Sequence, residues 1–440
     1  TGVVLWFAMK ILWRRRNRLG ASRSGVGIPL PYVAEGKVYL DWNATSPIFP
    51  EVTAAALPFL SRNFGNPSSD HCFGAPCRDA VSISRLQLAS LIGCGDDEVV
   101  FTGCGSEADN MAIRGAVRLG KTGFANKELV PHIVTSAIEH PAITACIRDL
   151  EELGEATATF VPVEADGRVR PEAVAAAVKE TTVLVTIMHS NNEVGSVMDI
   201  ATISALVRGK STEAQRRLGL PLIHTDAAQS IGKVKVKVHE LGCDLLTLVG
   251  HKFGAPKGIA ALYVRREVQL PSLLYGGGQE GGRRAGTESV PLIVAMGAAA
   301  RVVDWELEAI NSHMRQMIDR LYRGLVTALK QHTLRVNGPP LNAGDGLRLP
   351  NTLSLGISGA KASELLAKLT VSDIAASASA ACHSADTAQD SISFVLVAMR
   401  VPDEFAKGTL RLSVGRHTSS KEVDRAVSVI AEHLSSCVKI

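Results

Sequence analysis

Lys252 lies in the turn Gly250-His251-Lys252, directly after the apolar run Leu245-Leu246-Thr247-Leu248-Val249. An ammonium at the end of a buried strand is costly to desolvate. That cost becomes useful where a lysine must shed its proton and act as an amine nucleophile or Schiff-base former. A lysine in such a place can also snorkel to solvent while the neighbouring histidine merely packs. The residues at the ends of the other apolar runs decide between these readings.

After Thr102 the chain reads Gly103-Cys104-Gly105-Ser106, and a helix opens at Glu107. Glycines at a helix start let backbone N–H groups approach an anion, which the helix dipole favours; the same pattern also serves as a plain cap. Glu139-His140 follows the next run, and an imidazole there is either structural or stacked on an aromatic ring. Asn191-Asn192-Glu193-Val194-Gly195 reads as a turn. His224-Thr225-Asp226-Ala227-Ala228-Gln229 places an aspartate among apolar neighbours, where it needs a cationic or donor partner. A pyridinium nitrogen is such a partner, and the aspartate would keep the ring protonated as an electron sink. Phosphate cradle, stacking histidine, pyridinium aspartate and Schiff-base lysine together describe a pyridoxal phosphate site.

Ligands of open α/β sheets sit beyond the carboxyl ends of the strands, so those ends must be brought together. Strands are expected over 98–102, 132–135, 183–187, 221–224 and 244–249, several of them nearly continuous apolar runs, as in a parallel sheet covered on both faces. Helical spacing links Ala108, Met111, Ala112, Gly115, Ala116 and Leu119, and Pro171 marks another helix start. Residues 258–264 read as a further strand, at the edge or antiparallel, and 291–303 as a long apolar helix. From about residue 305 a second helix, a strand at 352–355, a helix at 362–369, a loop around Cys382, a strand at 410–414 and a terminal helix make a smaller α+β unit. The expected division is a basic tail over 1–35, a large domain over 36–304 and a small one over 305–440.

The 440 residues are ample for a large core, and a formal charge of +4 gives no reason to expect nucleic acid as partner. None of the eight cysteines forms a C-x-x-C pair, so neither a metal site nor a disulfide framework is expected, and a reducing compartment is. The apolar run 3–9 is far shorter than the ~20 residues that span a bilayer. Four arginines follow it and no acidic residue precedes Glu35, a pattern of a mitochondrial targeting segment or of a disordered basic tail. The cytoplasm is the expected compartment and the mitochondrion the alternative.

Six stretches carry a family resemblance: 41–45 (Asp-Trp-Asn-Ala-Thr), 65–69 (Gly-Asn-Pro-Ser-Ser), 191–195, 224–229, 250–252 and 284–287 (Arg-Ala-Gly-Thr). From about Val38 onward the chain resembles the class V aminotransferases, in the branch of cysteine desulfurases and selenocysteine lyases. The resemblance implies the fold type I architecture of pyridoxal phosphate enzymes, with a large, mainly parallel sheet covered by helices. It implies that Lys252 is the Schiff-base lysine, Asp226 the pyridinium partner and His140 the stacking ring. Gln229 and Asn192 would bond the ring O3′, and Gly105, Ser106 and His251 the phosphate. Thr287 matches a phosphate ligand contributed by the other subunit, which implies a homodimer with shared active sites. Arg411 matches the arginine that grips the substrate carboxylate, with Asn43 also substrate-binding. Cys382, in Ala378-Ser379-Ala380-Ala381-Cys382-His383-Ser384, matches the cysteine that takes or protonates the chalcogen.

Ala381 to Ser384, the polar stretch to Ser391, Leu410 to Arg416, Val249 where desulfurases commonly have serine, and the insertion 211–219 resemble selenocysteine lyases more closely. The expected reaction turns L-selenocysteine into L-alanine and selenide with an acceptor or reductant, and a selenium or sulfur acceptor protein is a candidate partner. The alternatives are a cysteine desulfurase feeding iron–sulfur assembly or tRNA modification, and a non-catalytic scaffold of the same fold. Two departures from the family pattern bear on the last: Phe253-Gly254-Ala255-Pro256 replaces an aromatic followed by Gly-Pro, and Gly281 stands where arginine usually follows Gln279-Glu280.

Overall fold

The computed structural model describes residues 36–344, 346–378 and 392–435; the basic tail and Cys382 with its flanking motif lie outside them. Twelve strands are present among the described residues: β1 (Val38–Tyr39), β2 (Val99–Thr102), β3 (His132–Ser136), β4 (Thr157–Val161), β5 (Thr182–Thr186), β6 (Leu222–Asp226), β7 (Leu245–Val249), β8 (Ala260–Val264), β9 (Leu334–Asn337), β10 (Thr352–Ile357), β11 (Ile374–Ala375) and β12 (Thr409–Ser413). Seven of them form one sheet in the order β2-β8-β7-β6-β5-β3-β4. Strands β4, β3, β5, β6 and β7 run parallel. β8 is antiparallel to both neighbours, which returns β2 to the common direction.

Strand alternation sorts the two faces. Leu222, Leu245, Val100 and Leu262 pack with Ala108, Met111, Ile143 and Ile147 of the helices Gly105–Gly123 and Pro141–Glu152. Ile223, Leu246, Leu248 and Phe101 face the opposite side and join the larger core with the helices Ala75–Ile92 and Val290–Ala328. Both sides of the sheet are therefore dry, which explains the unbroken apolar runs. It also places His224 and Asp226, two and four residues along from Leu222, on the side of the Gly105–Gly123 helix.

Two strand expectations need correction. β8 is antiparallel, as one of the two readings had it, but it is no edge: it lies between β7 and β2. The chain turns back at Lys252 and pairs at once with the strand it has just left. β4 gave no signal in the sequence, because this edge strand is half exposed and carries threonine and alanine rather than an apolar run. The two helices expected around residue 300 are one helix of 39 residues, Val290–Ala328, so the expected boundary at 304/305 falls within it. No glycine or proline interrupts Trp305-Glu306-Leu307-Glu308, and nothing there stops helical hydrogen bonding.

β12, β10 and β9 form an antiparallel sheet, and β1 pairs with β11. Backbone bridges join Asp41 to Ser413 and Ser377 to Arg411. The first described residues are thereby stitched into the last strand, beside the open end of the large sheet. No helix among the described residues is long and apolar enough to cross a membrane.

Candidate active site

β2, β3, β5, β6 and β7 all point their carboxyl ends at one cavity of about 290 Å³. Its walls carry Lys252, Asp226, Gln229, His140, Asn192, Gly105, Ser106, His251, Asn43 and Arg411. These residues come from both ends of the described chain, and the parallel sheet with its stitched-in first segment is what assembles them.

Lys252 follows β7 in a single helical turn, Gly250–Lys252. Its Nζ donates to the backbone oxygens of Asn43 (2.8 Å) and Ala44 (2.9 Å), so the amine is held against the cavity wall rather than released to solvent. Asp226 ends β6, and its Oδ1 accepts the Ala228 N–H at 2.8 Å. Burial pushes its carboxyl up, against the opposing pull of that N–H and of the Lys252 charge. A cationic group placed beside Asp226 would relieve this penalty. His140 caps the helix Pro141–Glu152: its Nδ1 accepts the Ala142 N–H at 3.1 Å, which fixes the ring orientation at the cavity. Burial, reinforced by Lys252, Lys257 and Lys233, pushes His251 down to about 4, so this ring is neutral at physiological pH. Its Nδ1 lies 3.1 Å from the Thr45 hydroxyl.

Gly105 opens the helix that ends at Gly123. A Cβ on Gly105 would lie 2.6 Å from Cγ2 of Val249, so only glycine lets the helix start press against the end of β7. Ser106 is exposed beside it, and the unpaired N–H groups of this first turn face the cavity region. The Arg284–Glu107 pair, 2.7 Å, ties the glycine-rich loop to the same turn.

Arg411 on β12 is almost wholly buried. Its Nη2 donates to Asp41 Oδ1 (2.7 Å) and its Nη1 to the Asn192 oxygen (3.2 Å). The buried Nε has no hydrogen-bond partner among the described residues. Thr287 is not in this cavity. It is exposed and lines a separate recess of about 210 Å³ with Phe64, Asn66 and Pro67.

The two departures from the family pattern lie in defined local settings, with Ala255 itself buried beside Gly254. Gly254 adopts φ +93°, and a Cβ there would sit 2.3 Å from the Phe49 ring. Phe49 thus fills the space that an aromatic side chain at 254 would otherwise need. Gly281 has φ +65°, a left-handed conformation that glycine takes without strain. Glu280 beside it is held by a bidentate pair with Arg85 at 2.6 and 2.7 Å. None of Gly254, Ala255 and Gly281 lines the Lys252 cavity.

Three buried polar residues went unrecognised in the sequence. Asp109 lines the cavity, its Oδ1 has no hydrogen-bond partner among the described residues and lies 3.8 Å from His224 Nε2, and burial with the nearby Asp226 charge pushes its carboxyl well up. Glu139, beside His140, accepts the Met188 N–H on both oxygens, and burial pushes it up to about 8. Lys233 is buried one helical turn beyond Gln229. Asp109 had the clearest signal, an acid wedged between Ala108 and Met111 on an apolar helix face.

Asn43 is the hub of the site. Its Nδ2 donates to the Asn192 oxygen (3.1 Å) and Thr352 Oγ1 (2.8 Å). Its Oδ1 accepts from Asn351 (2.9 Å) and Lys233 (3.4 Å), and its backbone N–H donates to Ser413 Oγ (3.0 Å). Its carbonyl takes both Lys252 and the Gln229 amide, the latter at 2.9 Å.

The profile of the class-V aminotransferases matches residues 38–426. The chain belongs to that family. Cysteine desulfurase IscS of Methanosarcina thermophila is 38% identical over 395 residues, 90% of this chain and 91% of that protein. Human selenocysteine lyase is 39% identical over 410 residues, 89% and 91% of the two chains. The solved structure of a NifS-like protein superposes with a TM-score of 0.80 at 30% identity, covering 91% of this chain and all of that one. The architecture is fold type I, and the enzyme uses pyridoxal 5′-phosphate. The donor set suits this cofactor: a buried carboxyl awaits a cation, an amine faces the same cavity, and a helix start offers N–H groups to a phosphate. Among the described residues no cluster of His, Cys, Asp or Glu is placed to hold a metal ion.

Proposed function

We propose that this enzyme is a selenocysteine lyase, cleaving the Cβ–Se bond of L-selenocysteine to give L-alanine and selenide, with a reductant or acceptor taking up the redox balance. The observation that carries the reading is the single cavity walled by Lys252, Asp226, His140, Gln229 and Arg411. Bound pyridoxal 5′-phosphate supplies the electron sink that makes a Cα proton labile and the Cβ–chalcogen bond breakable. Lys252 is the covalent anchor and moves the proton at Cα. Asp226 holds a proton on the ring nitrogen, His140 stacks on the ring, and Gln229 and Asn192 meet O3′. Gly105, Ser106 and His251 hold the phosphate, the neutral imidazole acting as an N–H donor.

Arg411 orients the substrate carboxylate through its unmatched Nε and the edge not held by Asp41. Asn43 holds Lys252 and Gln229 in place; its own side chain is fully engaged. Cys382 receives the chalcogen or protonates it. Support comes from the segment's flanks, since Ser377 pairs with the Arg411 backbone and Ser393 bonds Glu193 beside Asn192.

Selenocysteine lyases of human, rat and cattle are each 39% identical to this chain, and the Methanosarcina thermophila desulfurase is 38% identical. Overall identity therefore does not choose the chalcogen. Val249 favours selenium, since it lines the phosphate end where desulfurases carry serine. The insertion 211–219 forms a capped helical turn whose Gln215 bonds the backbone of Lys179 and Thr182, which makes it a built element of the enzyme. Alanine release from L-selenocysteine and L-cysteine, measured side by side, tests the assignment. Turnover on both, lost for both in Cys382→Ala, makes the enzyme a cysteine desulfurase instead.

We also propose a homodimer in which Thr287 completes the partner's phosphate site. Its distance from its own cavity supports this, as do the exposed and stacked Phe64 and Phe73 rings close to it. Sedimentation of the purified enzyme checks the stoichiometry.

A further inference from the structure

Lys233 is a buried lysine that the reaction as described does not use. It lies behind the cavity wall, and among the described residues no carboxylate pairs with it. Its Nζ donates to Gln229 Oε1 at 2.7 Å and reaches Asn43 Oδ1 at 3.4 Å. The Gln229 Nε2 in turn donates to the Asn43 carbonyl at 2.9 Å. A carboxamide can be flipped end for end at little cost when its surroundings are indifferent. Here they are not: the Asn43 backbone carbonyl only accepts, which commits Nε2 to that side, and Nζ donates to the oxygen on the other. With the oxygen and one amide hydrogen taken, the second Nε2 hydrogen is what Gln229 has left to offer the cavity it lines.

Retaining a lysine here is expensive. Burial pushes its amine well below the ordinary lysine range, with the charges of Lys252 and Arg411 adding to the effect. A methionine would fill much the same space without that cost. The one thing it would not supply is a donor to the Gln229 oxygen.

We propose that Lys233 is a positioning residue, gripping the Gln229 carboxamide by its oxygen so that the side chain presents only N–H to the cofactor. The proposal rests on the reading of Gln229 as a cofactor contact. It thereby deepens that reading, naming the group that gives Gln229 its polarity.

The test uses cofactor-free wild type, Lys233→Met, Gln229→Leu and the double variant, each titrated with pyridoxal 5′-phosphate. The dissociation constant and the position of the visible absorption band are read, with unfolding of the cofactor-free proteins as a control for fold. Loss of one buried hydrogen-bond donor predicts roughly tenfold weaker binding in Lys233→Met. The band should shift in the same sense as in Gln229→Leu, and the double variant should be no worse than Gln229→Leu alone. Gln229→Glu, which keeps a partner for Lys233 but removes the N–H, should bind as poorly as Gln229→Leu.

Wild-type affinity and spectrum in Lys233→Met, or losses that multiply in the double variant, would overturn the proposal while leaving the Gln229 contact intact. An unchanged affinity and band in Gln229→Leu would instead remove the contact itself, and the role of Lys233 with it. Should Lys233→Met not fold, wild-type binding by Gln229→Glu is the outcome that overturns the proposal.

Discussion

The two walls of the Lys252 cavity solve opposite electrostatic problems. The wall under the Gly105–Gly123 helix is rich in carboxyls: Asp226, Asp109 and, one layer away, Glu139, all pushed up by burial. The wall built on Asn43 carries the basic groups Lys252 and Arg411, with the buried Lys233 behind it. There Arg411 pairs with Asp41, and the two lysines donate to carbonyl and carboxamide oxygens. The two walls face each other across the cavity. An occupant with a cationic ring nitrogen at one side and anionic oxygens at the other satisfies both. The contrast teaches that the site is a dipole awaiting its counterpart, built at a cost to the stability of the protein by itself.

Removing the reactive cation should do the most damage. Lys252→Ala is expected to lower alanine release by at least about 10⁴-fold, since anchor and proton carrier vanish together. The cofactor should then be lost on gel filtration, while wild type retains it. Retained turnover would mean that the cation wall is not the reactive one. On the opposite wall, Asp226→Asn keeps the shape but removes the charge, and a fall of about 10²–10³-fold in kcat at little changed KM is expected from steady-state kinetics. Arg411→Lys should act mainly through KM, raising it by about 10²-fold, because a point charge cannot copy a planar guanidinium held by Asp41. If Asp226→Asn raises KM and Arg411→Lys lowers kcat instead, the division of labour between the walls is wrong.

The smallest effect concerns stability. Glu139 is pushed up to about 8 by burial, so between its ordinary carboxylate range and pH 8 the folded protein holds a proton that the unfolded chain has released. Stability then falls as pH rises through that window. Glu139→Gln keeps the bonds to Met188 and Ser136 within reach and abolishes the titration. Relative to wild type, the variant should gain a few kcal/mol on going from pH 5 to pH 8 in urea unfolding. A difference that does not change with pH would show that Glu139 is ionised throughout.

On each wall some residues were legible in the sequence and others were not. Asp226, His140 and Lys252 stand directly at the ends of apolar runs, where a parallel sheet collects its ligand-binding residues, so local pattern was enough. Lys233 follows Gly232 in what reads as an ordinary polar turn, and its burial depends on the helix Val290–Ala328 and on Asn43, both far away in sequence. Asn43 announces itself only as part of a motif; that its carbonyl serves two residues at once is a property of the assembled fold. β4 stayed hidden for the converse reason: an edge strand buries too little to leave a pattern. Local periodicity records what each segment buries, but not which distant backbone will come to lie against it.

Asn43 also sets a schedule. Its N–H bonds Ser413 across 370 residues of sequence, and the carbonyl of the same residue holds Lys252. A ribosome emits the chain from the amino end, so β2 to β8 can pair while synthesis continues. The strap 41–44 can meet Gln229 and Lys252 once β7 has emerged, but its bonds to β12 wait for Ser413. A nascent chain can thus hold a finished sheet while Arg411 is still missing from the cavity wall.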